Sequence, residues 1–251
     1  MIINSDNYSF EKFEFSEIET TTTDFIFPSE CVLGKQAEAC FKACIELSER
    51  YRLLAANLQI QGANATLGEL DYLLQDLHDQ RTLHIELACK FYLYNPELNG
   101  HEEAKWIGPN LKDTLYDKLE KLKQRQFPML YAPETIEKLQ QLGIKDSITQ
   151  QLCLKAFLFL PLHLDINFLA PQYQDCVVGH WIRFDDFIND NKAVYALPNK
   201  KQWLLPTEAI TDWKSFSEIK EEIEQSLQNK KSPLVYKKTP RKTERFFVVW
   251  W

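Results

Sequence analysis

Glycine is scarce in this 251-residue chain, with seven residues, too few and too scattered for a glycine-rich phosphate-cradling loop. Also missing are an internal repeat that would mark a solenoid or propeller and a Ser/His/Asp pattern of the kind that builds a nucleophilic triad. No apolar run reaches membrane-spanning length; the densest, Ala156–Leu164, is short and carries Pro161. The first residues lack a basic segment followed by an apolar core, so no signal peptide is expected and a cytoplasmic location is the default. The six cysteines make no paired framework, which suits a reducing compartment. Cys40 and Cys44 stand one helical turn apart, but no second Cys or His pair of ligand spacing lies nearby, so they read as core packing. An excess of basic charge is absent too. The formal net charge of −7 weighs against non-specific nucleic-acid binding, which Lys and Arg carry. Basic residues do gather at Lys118–Arg125 and Lys237–Arg245, and each cluster alone reads as a solvated face.

What is present is an ordinary soluble composition, 45% hydrophobic and 26% charged, on a chain long enough for one large domain or two small ones. The stretch Thr66–Tyr94 organises it. Leu67–Leu74 and Leu83–Tyr94 read as two strands joined by the polar segment Gln75–Thr82. Alternation puts Glu69 and Asp71 on one side of the first strand and Leu70, Tyr72 and Leu74 on the other. In the second, His84, Glu86, Ala88 and Lys90 share a side, opposite Ile85, Leu87 and Cys89. Acidic residues inside apolar strands need an explanation. Burying an unpaired carboxylate is expensive, so these side chains face water, find a partner or gather round a metal.

Residues up to about Ser29 read as an irregular arm or as short edge strands, since FEKFEF alternates. Leu33–Arg50 has helical spacing at Ala37, Phe41, Cys44 and Ile45, and carries Glu38. Arg50–Gln61 reads as a strand. Trp106–Asn110 (WIGPN) is a turn, after which Leu111, Leu115, Leu119 and Leu122 predict a helix starting at Leu111, with Asn110 as its N-cap and Asp113 in its first turn. Pro133–Leu142 predicts a helix stopped by Gly143. Ile148–Leu160 is ambiguous between buried helix and strand, with a strand favoured from Lys155 to Leu160. From Cys176 onward the text turns to short aromatic runs. VVGHWIRF, AVYALP, QWLLP, PLVYKK and RFFVVWW read as strands, with a helix at Ser215–Leu227 among them. Such a Trp-rich appendage suits a substrate-positioning lobe or a dimer surface, with core packing the commoner reason.

Helix with Glu38, strand, GELD strand, then a strand holding Glu86 and a downstream Lys: this order resembles the core of the PD-(D/E)XK nuclease superfamily. More narrowly, Leu33-Gly34 with Glu38, Thr66–Leu74 (TLGELDYLL), Glu86–Leu93 (ELACKFYL) and WIGPN are similar to a bacterial family known as a domain of unknown function. The resemblance implies an α/β fold with a restriction-endonuclease-like αβββα core, a mixed central sheet and a β-rich C-terminal extension. The corresponding divisions are an arm over 1–32, the core over 33–165 and the extension over 166–251. It also implies Mg²⁺-dependent (or Mn²⁺-dependent) hydrolysis of nucleic acid. Asp71 and Glu86 would be the metal ligands, Lys90 would support charge in the transition state, and Glu38 would assist from the helix. Hard oxygen ligands suit Mg²⁺, which can lower the pKa of a bound water.

This sequence departs from the superfamily pattern at Ala88, where a Lys two residues after the acid is expected. Lys90 shares that strand face but stands ~13 Å from Glu86 along an extended strand, a span that a β-bulge would shorten. A plain alternative stands beside each role. Asp71 and Glu86 can be edge charges facing water, Glu38 a helix surface charge, Lys90 a snorkelling lysine and His84 a polar contact. His163 and His180 have no partner pattern. Three functional expectations result: a metal-dependent nuclease, a catalytically inactive module on the same fold that binds nucleic acid or protein, or a scaffold protein whose acidic strand faces merely meet water.

Overall fold

The computed structural model describes residues 8–15, 25–190 and 192–251. Among them the fold is α/β, with nine strands and five α-helices. In chain order these are α1 (Leu33–Leu47), β1 (Tyr51–Gln61), β2 (Thr66–Asp76), β3 (Arg81–Tyr94), β4 (Trp106–Ile107), α2 (Leu115–Lys121) and α3 (Pro133–Gln141). Then follow β5 (Ile148–Pro161), α4 (Pro171–Gln174), β6 (Val177–Arg183), β7 (Val194–Ala196), α5 (Phe216–Gln228), β8 (Leu234–Lys238) and β9 (Thr243–Val249). The strands form one mixed sheet in the order β1-β2-β3-β5-β6-β9-β8-β7, with β4 added to β3. β1–β2–β3 is an antiparallel meander, while β5–β6 and β6–β9 pair in parallel.

By its contacts the chain divides into two compact units. The first comprises Met1–Pro28, Ala37–Cys89 and Lys118–Lys155; the second comprises Ser29–Gln36, Lys90–Asp117 and Ala156–Trp251. In the first unit, Phe41 and Ile45, one turn apart on α1, pack with Tyr72, Leu74, Leu83 and Ile85. Phe13 of the N-terminal arm joins that cluster, and its N–H donates to the Leu152 carbonyl at 3.0 Å. Where short edge strands were expected, Lys12 bridges Leu152 in parallel; the arm segments 1–7 and 16–24 lie outside the described residues. A second cluster joins Ile60, Leu70 and Leu73 to Leu130 and to Leu139 of α3. The β2–β3 turn is held by Arg50, whose guanidinium grips the buried Asp76 at 2.7 and 3.1 Å.

In the second unit, Ile219 and Ile223 of α5 pack on Val235, Phe246 and Val248. Ser215 caps α5 in a capping box with Glu218. Gly179 in β6 leaves the room its neighbours need, since a Cβ there would sit 2.3 Å from the Arg245 carbonyl oxygen.

Three sequence expectations need correction. The helix predicted from Leu111 begins at Leu115. Leu111 is exposed in the left-handed region at φ 56°, closing a turn, and Thr114 and Asp117 cap the helix through reciprocal side-chain bonds to backbone N–H groups. Asn110 therefore caps nothing; its side-chain oxygen accepts the Ser232 N–H at 2.9 Å. The run QWLLP is no strand: Lys200–Gln202 is a 3₁₀ turn started by a capping box at Asn199, and Pro206 removes a ladder donor. The whole of Ile148–Pro161 is strand, so the ambiguous segment is β5 throughout. All six cysteines are free thiols.

Candidate acidic site on the central strands

Asp71 and Glu86 arrive at one place through strand register. Leu73 pairs with His84 across β2 and β3, so the two share a face, and Asp71 and Glu86 each lie two residues further along it. The β2–β3 ladder stops at the Tyr72–Ile85 pair. Beyond it the Asp71 carboxylate, not a backbone carbonyl, accepts the Leu87 N–H at 2.8 Å.

The alternation of β2 slips at this point. Tyr72 and its β1 partner Ala56 belong to the cluster under α1, whereas Leu70 and its partner Leu58 belong to the opposite cluster. Leu70 and Tyr72 thus do not share a face as simple alternation predicts. The cause lies in β1, where Asn57, between those two pairs, is left-handed at φ 51°. Asn tolerates that conformation better than other side chains that carry a Cβ.

Glu86 and His84 are fully buried. His84 Nε2 lies 3.0 Å from Glu86 Oε1, and its Nδ1 lies 3.1 Å from Gln150 Nε2. Gln150 Nε2 also donates to the Phe127 carbonyl at 2.8 Å. A carbonyl only accepts, which fixes the amide's orientation, so Gln150 donates to Nδ1 as well and the ring hydrogen sits on Nε2, facing Glu86. On the other carboxylate oxygen, Gln126 Nε2 donates a hydrogen bond, while Lys118 Nζ donates to Gln126 Oε1 at 3.0 Å. Gln126 reaches Glu86 from a π-helical turn, Leu122–Gln126, that widens the end of α2; such turns recur at functional sites.

Electrostatically the site is loaded. Burial, and then the neighbouring charge of Glu86, push the Asp71 carboxyl up to about 7; the Leu87 N–H and Lys118 pull against them. A carboxylate titrating near neutrality in a partly buried acidic pair fits a proton donor or acceptor, or a ligand awaiting a cation.

Asp71 and Glu86 meet. Glu38 lies on α1, which packs on the Tyr72 face, and its backbone carbonyl accepts the Tyr72 hydroxyl at 3.0 Å. Lys90 pairs with Asp113 at 2.7 Å in the second unit. Sequence reasoning did not single out Lys118, Gln126 or Gln150. Lys118 stood in a basic cluster read as a solvated face, and the two glutamines carried no signal.

The acidic pair fits a hard divalent cation by donor chemistry. Among the described residues no three His, Cys, Asp or Glu side chains gather as a complete ligand set. Mg²⁺, however, commonly takes only one or two carboxylates and keeps its waters.

Comparison with known proteins places the chain in a family. The model described as "Domain of unknown function (DUF1853)" matches residues 16–249. The chain belongs to that family. Searches of curated proteins and of solved structures return no match.

Proposed function

We propose that the chain is a Mg²⁺- or Mn²⁺-dependent phosphodiesterase acting on nucleic acid, built on a restriction-endonuclease-like core. The observation that carries this reading is Asp71, raised to about 7 by burial and by Glu86 beside it. Two carboxylates held in mutual repulsion are relieved by a cation, and a proton on Asp71 fills that role when no metal does. A bound ion would supply a Lewis acid for the phosphate and a water of lowered pKa. Asp71 and Glu86 would hold it. His84 and Gln126 donate to the two Glu86 oxygens and fix that carboxylate's orientation, leaving further lone pairs to coordinate. Lys118, whose charge reaches Asp71, supplies the positive charge that the sequence lacks at Ala88.

A second reading rests on Lys90 and Ala88. With Lys90 paired to Asp113, the chain would be an inactive module on this fold that binds nucleic acid or protein. Calorimetry with Mg²⁺ and Mn²⁺ on the wild type, Asp71→Ala and Glu86→Ala, with nucleic-acid cleavage followed in parallel, separates the two. Metal binding lost in both variants together with divalent-dependent cleavage supports the enzyme. Metal binding without cleavage supports the inactive module, and no binding in folded protein removes the metal from both. Because a proton competes for Asp71, affinity for the metal should rise as pH increases through about 7.

A further inference from the structure

A pocket of about 450 Å³ in the second unit concentrates positive charge, with Lys112, Lys230, Lys231 and Trp250 in its lining and no acidic residue there. All three lysines are exposed. None has an ion-pair partner among the described residues, whereas Lys90, Lys214 and Lys237 each do. In a chain of net charge −7, three unpaired cations in one hollow call for an anion.

The hollow is built, not merely crowded. The loop carrying Lys112 is closed by the Gly108 N–H to the Asp113 carbonyl at 2.8 Å and the Leu111 N–H to the Gly108 carbonyl at 2.9 Å. Asn110 ties it to the Ser232 N–H at 2.9 Å, and the Trp251 indole N–H ties it to the Pro109 carbonyl at 3.3 Å. Two lining residues are left-handed without being glycine: Leu111 at φ 56°, and Lys230 at φ 53°, which ends α5 with its N–H donating to the Leu227 carbonyl at 2.9 Å and the Lys231 N–H to the Ser226 carbonyl at 3.0 Å. Lys230 Nζ sits 5.8 Å from the centre of the Trp250 ring. The Trp250 indole N–H and the Ser232 hydroxyl are buried without a hydrogen-bond partner.

We propose that this pocket holds the backbone of a nucleic-acid strand, with Lys112, Lys230 and Lys231 neutralising its phosphates and the Trp250 ring offering a surface for a base. Lysines beside an aromatic ring are the usual elements of single-strand binding. The choice of a polynucleotide over a small phosphate compound rests on the phosphodiesterase reading; the charge pattern does not.

The test is fluorescence anisotropy of a labelled oligothymidylate with the full chain in EDTA, where no divalent-dependent cleavage proceeds. Lys112→Gln/Lys230→Gln/Lys231→Gln is compared with Lys200→Gln/Lys201→Gln/Lys220→Gln, which removes the same charge from the same unit elsewhere. The proposal expects the pocket variant to lose about tenfold or more in affinity, and its salt dependence to flatten by about 2 in log–log slope. The control variant should stay within about twofold of wild type. Equal losses in the two triple variants, or no loss in the pocket variant, would overturn it. Competition by inorganic pyrophosphate as strong as by unlabelled oligonucleotide would overturn the polynucleotide assignment. Because binding is read without metal, a failure here is separate from a failure of the metal site.

Discussion

Asp71→Asn should stabilise the protein, and only above a certain pH. The side chain keeps its shape, and Asn can still present an oxygen to the Leu87 N–H that Asp71 accepts. What the substitution removes is a carboxyl that burial and Glu86 raise from 3.8 to about 7. A group whose folded pKa is raised holds its proton more tightly in the native state. Wild-type stability therefore falls as pH climbs from the unfolded value to the folded one, and is level above it. Converted in full, that shift is ~4 kcal/mol; Asp71 keeps part of its surface in water, and screening brings the expectation to ~2 kcal/mol. Urea unfolding of wild type and Asp71→Asn at pH 4.0 and at pH 8.0 reads it directly. The variant should match wild type at the lower pH and exceed it by ~2 kcal/mol at the higher. An equal difference at both values, or a less stable variant at pH 8.0, would refute the account of a repelled, partly buried carboxylate. Saturating Mg²⁺ should close the gap, since a ligand that binds only the native wild type raises its stability.

Gln126→Leu should cost ~1–3 kcal/mol in urea unfolding, because it strips a donor from the fully buried Glu86 and leaves that oxygen unpartnered. The same variant should weaken metal binding in calorimetry if Gln126 orients the ligand. Arg50→Ala should destabilise by ~2 kcal/mol at neutral pH by exposing the need of buried Asp76 for a partner. Burial alone would raise Asp76, but Arg50 and the His78 and Asp79 N–H groups hold its carboxyl below the ordinary value. That contribution is present above the unfolded carboxyl pKa and disappears as pH falls through the folded one. Parallel unfolding curves at pH 7 and in strong acid should therefore converge.

The meander was legible because strand alternation and a polar turn fix register over short distances, while the joining of Asp71 with Glu86 came from the resemblance to the nuclease core. The same local rules failed where a side chain departs from periodic geometry. Leu111 fits a helical stripe with Leu115, yet the turn after Pro109 ends in a left-handed residue, and the true start was written in the Thr114-x-x-Asp117 pair. Leu70 and Tyr72 are two apart and still fall in different clusters, because the slip opposite Asn57 is a property of the neighbouring strand. Glu38 was assigned by its place on a helix, and the Phe41–Ile45 seam packs that helix on the Tyr72 face, where the charges of Glu38 and Asp71 both reach the Tyr72 hydroxyl. Gln126 reaches Glu86 through a π-helical turn that no hydrophobic period announces. The acids of the site thus come from regular strands and could be read. Their supporting donors come from an irregular helix end and a long-range strand, and only the packed chain reveals them. The effect of Gln126→Leu on metal affinity consequently bears on more than stability. An effect on affinity at unchanged fold would mean that the irregular turn serves the carboxylates, and an effect on stability alone would mean that it only satisfies a buried oxygen.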